Sequence, residues 1–145
     1  GVPLGLGEPW FDGLEPALAR AMMSIPAARG VVFGRGFDVV KMTGLEHNDA
    51  WGGSSERPEL IGANPDGVIA GLATGSPIHV SIAFKPPSSI ATEQHTLNLA
   101  SGLVEPLVVG GRHDPVLGPR AVAVVEAMAQ LVLADLALRG GFIDA

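Results

Sequence analysis

The feature that most constrains this chain is the stretch Ala121–Leu138, which is apolar almost all the way round a helical wheel. A helix with no polar face is buried on more than one side. In a chain of 145 residues that predicts a helix held between two sheets, or in a subunit contact. Glu126, Gln130 and Asp135 interrupt the run. A bilayer span needs about 20 apolar residues in succession, so the reading is a core or interface helix and not a membrane segment. Arg139-Gly140-Gly141 closes it, with a cation and then glycine at the C-terminal end.

Composition bounds the rest. Hydrophobic content of 47% with 17% charged residues predicts a folded chain, and 145 residues suffice for one domain with its own core. Twenty Gly and twelve Pro predict shaped loops between short elements. A net charge of −6, with two Trp, five Phe and no Tyr, argues against a nucleic-acid surface. Without cysteine there are no disulfides or thiolate metal sites, which suits a cytoplasmic protein. No signal peptide is visible. The chain opens on Gly without an initiating Met, and the expectation is a single domain, 1–145, that is a fragment of a longer protein.

Taken in order, Asp12 with Glu15 three residues on and Pro16 in the first turn predicts a capped helix. Leu14, Ala17, Leu18, Ala21 and Met22 form its apolar face, and Pro26 ends it. Arg20 reads as a solvated charge. Ala27–Gly36 predicts a turn into a strand, and Phe37–Met42 a second strand after the Gly34-Arg35-Gly36 turn. Gly44–Asp66 is polar, turn-rich and long for a connection, and its Glu46, His47 and Asp49 are weak candidates for a metal. Gly67–Gly75 is built for close approach to the backbone, by another element or by a flat ligand. Ile78–Phe84 alternates as a half-buried strand with His79 on its outer face, and Leu103–Val109 predicts a last strand. The class expected is α+β with a mainly antiparallel sheet.

Two loops carry the chemistry. Lys85-Pro86-Pro87-Ser88-Ser89 follows a strand and groups a cation with two hydroxyls, a set suited to anions. Gly110–Arg120 places Arg112, His113, Asp114 and Arg120 among two Gly and two Pro just before the long helix. Arg112 suits bidentate recognition of phosphate or carboxylate. Asp114 can hold His113 or Arg112, accept a proton, or serve a cofactor N–H; the bland alternative is a structural Arg–Asp pair at the helix start. Both loops are expected at the same edge of one sheet.

The chain resembles the C-terminal part of chorismate synthase. The stretches that carry the resemblance are Gly5-Leu-Gly-Glu-Pro with Phe11-Asp12, Ala21-Met-Met-Ser-Ile25, Gly30 to Phe37, and Gly44 to Asp49. They continue with Asn64 to Gly75, Ala83 to Ile90, Gly111 to Pro115, and Pro119 to Asp135. The resemblance implies a β-α-β sandwich, usually a homotetramer. It also implies a lyase that eliminates phosphate from 5-enolpyruvylshikimate 3-phosphate in the 1,4-anti sense, giving chorismate for aromatic amino-acid synthesis. Reduced FMN is the implied cofactor, with NADPH a candidate reductant. The flavin contacts would fall on Pro26, Ala27, Ala70, Lys85, Pro86, Pro87, Ser88, Ser89 and Arg112, with Asp114 near the flavin ring and Arg112 near both cofactor and substrate. Departures are Pro26 for the family's Asn, Asp66 and Ala70 for glycines, Val32 where Glu is common and Val116 where Cys is common. The family's two catalytic histidines fall in its preceding N-terminal part, and none of His47, His79, His95 or His113 matches them. The fragment is therefore expected to be inactive alone. The alternatives are a non-catalytic flavin- or anion-binding module, and a metal enzyme using His47 and Asp49.

Overall fold

A computed structural model of the chain describes residues 1–62 and 66–144. Asn64 and its two neighbours, within two of the stretches named above, lie outside the described residues. Helix α1 (Leu14–Met23) forms where the apolar period predicts it, and buries Leu14, Ala17, Leu18 and Met22. Asp12 is not its N-cap. A 3-10 turn, Trp10–Asp12, precedes Gly13 at the cap position, and no side chain caps the helix. The first N–H, from Leu14, donates instead to the Gly71 carbonyl at 2.9 Å. Asp12 lies 3.5 Å from the exposed Arg20, so that charge is solvated but paired across eight residues.

Strand β1 (Ala28–Phe33) pairs antiparallel with the outer strand that the alternating Ile78–Phe84 stretch predicts, with Val31 opposite Ile82. The expected strand at Phe37–Met42 is instead a 3-10 helix, Gly36–Lys41. Gly34 and Gly36 have φ of 51° and 56°, which turn the chain away from the sheet, and Lys41 Nζ then meets Asp38 at 3.1 Å, a helical spacing. The polar stretch read as one long loop holds a hairpin, β2 (Ala50–Gly53) with β3 (Pro58–Ile61). A small hairpin follows, β4 (Val68–Ile69) with β5 (Leu72–Ala73). Strand β6 (Val80–Phe84) is the partner of β1. A final hairpin joins β7 (Gln94–Leu97), where only a polar segment was read, to β8 (Val104–Leu107). Helix α2 runs Gly118–Arg139, with Gly140 at its C-cap.

The class is α+β and every strand pair is antiparallel, but the single sheet expected is four two-stranded pairs among the described residues. One core joins Leu6, Leu14, Leu18, Met22, Ile25, Val68 and Leu136, with Val125, Met128, Val132 and Leu133 of α2 packed against it. Only one face of α2 is covered by the described residues: Val124, Leu131 and Leu138 stay exposed on the other. By length and composition α2 would also cross a membrane; here it packs on α1 and on the core through one face. Arg139 at its end pairs with Glu8 and, at 3.3 Å, with Asp135.

Within Gly67–Gly75, Gly71 admits another element at the point where the fold closes. Gly71 has φ 89°, and a Cβ there would overlap the Glu8 carbonyl oxygen; a Cβ on Gly13 would lie 3.0 Å from the Gly71 Cα. Gly71→Ala is thus expected to destabilise the intact protein by about 2 kcal/mol, through a strained φ and a backbone clash. Gly44, with open space around its Cβ position, should tolerate Ala within about 0.5 kcal/mol. Urea denaturation of the two variants checks this; equal midpoints would contradict the packing described.

Candidate functional site

The β1–β6 ladder ends where the first loop begins. The Lys85 N–H donates to the Ala27 carbonyl at 2.9 Å, which ties the turn after α1 to the start of Lys85–Ser89. Ala27 has φ 70°, unusual for a residue with a side chain. Such strain persists only where the surroundings hold it, and it clusters at functional sites. Pro26 is exposed beside it, as are Lys85, Pro86, Ser88 and Ser89, while Pro87 is half-buried.

The second loop approaches the first. A pocket of about 320 Å3 is lined by Ile82, Phe84, Lys85 and Pro86 on one side and by Pro115, Val116, Leu117 and Gly118 on the other. The two loops do not share a sheet edge as expected: β6 belongs with β1 and β8 with β7. They meet because the second loop runs into α2, which packs on the same core. Arg112 and Ala70 do not line this pocket. Ala70, with φ 52°, sits at the tip of the β4–β5 hairpin, a separate place in the fold.

Within the second loop the open alternatives are settled by partner. Asp114 holds neither His113 nor Arg112; its Oδ2 accepts from Arg120, in the first turn of α2. His113 places Nε2 3.1 Å from the Val109 carbonyl oxygen, a contact that folds the loop onto its own start. Arg112 is exposed and has no ion-pair or hydrogen-bond partner among the described residues, and the Lys85 ammonium likewise has none. On the first loop, a cation without a protein counter-ion among the described residues stands three and four positions before two exposed hydroxyls, a donor set of the kind that fits the phosphate of FMN.

A second group of polar residues gathers elsewhere. His47 Nε2 lies 3.0 Å from Asp66 Oδ2, and among the described residues His47 Nε2 and Asp66 Oδ1 are buried without a hydrogen bond. The Asp66 carboxylate packs directly on Gly34, where a Cβ would overlap it. Asp49 lines the adjoining pocket of about 160 Å3. Among the described residues no three His, Asp or Glu come together to hold a metal. Glu46 turns back to Thr43, whose N–H at 2.7 Å and hydroxyl at 2.9 Å hold its carboxyl below the usual range. The His47–Asp66 contact was not foreseen; a polar pair nineteen positions apart leaves no periodic signal.

The fold and this site define an α+β domain with an open pocket edge that carries an exposed cation. The sequence matches the family model described as chorismate synthase over residues 1–138. It is 46% identical to a chorismate synthase of Dehalococcoides mccartyi over 98% of this chain and 39% of that protein. It is 49% identical to that of a Synechococcus species over 94% of this chain and 38% of that protein. A solved crystal structure of chorismate synthase superposes with a TM-score of 0.70 at 31% identity, covering 96% of this chain and 34% of that one. The chain belongs to the chorismate synthase family. It spans about two fifths of the length of the relatives it matches.

Glu15 offers a test of the packing beside the second polar group. Burial first, and then the negative charge of Asp66, raise its carboxyl above the ordinary value of 4.5. A carboxyl raised on folding makes the protein less stable as pH rises through the gap between unfolded and folded values. Glu15→Gln should therefore raise the thermal midpoint at pH 7, and the gain should vanish as pH falls below 4.5. Thermal melts across that range decide it; no gain at pH 7 would contradict the burial described.

Proposed function

We propose that this chain is the cofactor-side part of a chorismate synthase, a lyase that removes phosphate and a proton from 5-enolpyruvylshikimate 3-phosphate. The observation that supports it is that Lys85 and Arg112, cations without a partner among the described residues, are carried on two loops that face each other across one pocket. Lys85, Ser88 and Ser89 would hold the phosphate of FMN, with the Ala27–Lys85 hydrogen bond fixing the loop that carries them. Arg112 would serve the anionic substrate as well as the cofactor. Asp114 would stand at the flavin-ring side, where its Oδ1 is left to hold a proton while Oδ2 accepts from Arg120. Reduced FMN, when bound, supplies electron density as phosphate departs. The acid–base histidines of the family are proposed to lie outside this stretch, so the isolated chain should not turn over.

The exposed face of α2 supports a further layer or copy against it, in keeping with the sandwich and the homotetramer proposed for the intact cytoplasmic protein. NADPH is the proposed reductant.

Replacing Lys85 or Arg112 with Ala in the intact protein should weaken FMN binding by about 2–3 kcal/mol if each makes a charge-assisted contact. Flavin fluorescence titration measures it, and unchanged affinity in both variants would refute the assignment.

A further inference from the structure

Arg112 and Asp114 stand two residues apart in one loop, near enough in sequence for the guanidinium and the carboxylate to compete for each other as charge-assisted partners. Here they do not. Asp114 is taken by Arg120, and Arg112 has no partner among the described residues. We propose that Arg120 is the internal counter-ion of Asp114, and that by occupying this carboxylate it keeps Arg112 free for an anionic ligand.

Three observations support the role. Arg120 is anchored on a rigid element: its backbone N–H donates to the Leu117 carbonyl at 3.1 Å within the first turn of α2, directly after Pro119. The pair closes a short loop whose intervening residues Pro115, Val116, Leu117 and Gly118 form one wall of the pocket opposite Lys85. The side chains are 70% and 31% exposed for Arg120 and Asp114, and ion pairs this open to solvent contribute little to stability. The pair therefore matters for where Asp114 points and for what it does not bind. Arg120 is thus a positioning residue, two steps removed from the ligand: it holds Asp114, and Asp114 held is Arg112 released. This rests on the assignment of Arg112 as an anion ligand, but not on which anion it is.

The test uses the intact protein with two probes, FMN followed by flavin fluorescence and inorganic phosphate followed by thermal shift. Arg120→Ala should weaken both on the order of tenfold, the value of one charge-assisted contact, because Asp114 is then free to pair with Arg112. Adding Asp114→Asn to Arg120→Ala should restore binding, since the competing carboxylate is gone, and Arg120→Lys should keep most of it. A merely structural Arg120 would not be rescued by neutralising Asp114. Wild-type affinity in Arg120→Ala, or a double variant as weak as Arg120→Ala, overturns the proposal. Wild type that binds phosphate but not FMN sinks the flavin reading alone, and the same comparison then proceeds with phosphate. Wild type that binds neither overturns both.

Discussion

The hydrogen bond from the Lys85 N–H to the Ala27 carbonyl is the contact on which the site depends. It extends the β1–β6 ladder past Phe84, its last paired residue, by one rung. That rung joins the strained turn after α1 to the start of the cationic loop. Above it, α1 and α2 pack together on the core that β1 and β6 line from below. The second loop is delivered to the first by the start of α2, and so the pocket inherits its shape from helix packing. Functional side chains carried on loops but anchored by rigid elements are a common way to keep a site open yet ordered.

Charge pairing along the chain is selective. Glu8 meets Arg139, Asp12 meets Arg20, and Asp114 meets Arg120. Among the described residues Lys85 and Arg112, on the facing loops, have no such partner, and neither does Arg29. In a chain with a net charge of −6, carboxylates are plentiful, so cations without partners stand out. The field of the whole molecule is anionic, while the site is cationic because of a few nearby groups.

Much of this was legible in the sequence, for physical reasons that differ by element. The periods of α1 and α2 are long enough to show a face, and β6 alternates over enough residues to show a pleat. The segment Gly36–Lys41 misled because six residues with two adjacent valines satisfy a strand pattern as well as a 3-10 turn. The positive φ of Gly34 and Gly36, invisible in a period, made the choice. Hairpins β2–β3 and β7–β8 were hidden because four-residue strands carry no usable period, and their stability lies in the ladder between them. Asp12 had the spacing of a cap, but the Gly71 carbonyl arrived first from a distant hairpin. At the site, the residue types of Lys85–Ser89 and Arg112–Asp114 could be read directly. The partner of Asp114 could not, since Arg112, His113 and Arg120 were all within reach in sequence.

The most direct measurement is anaerobic turnover. The intact protein is supplied with reduced FMN and 5-enolpyruvylshikimate 3-phosphate, and chorismate and released phosphate are followed together. The account predicts that both form in equal amounts with the intact protein, and that the 145-residue chain alone forms neither. Flavin binding by the intact protein without any chorismate would contradict it and favour a binding module without catalysis.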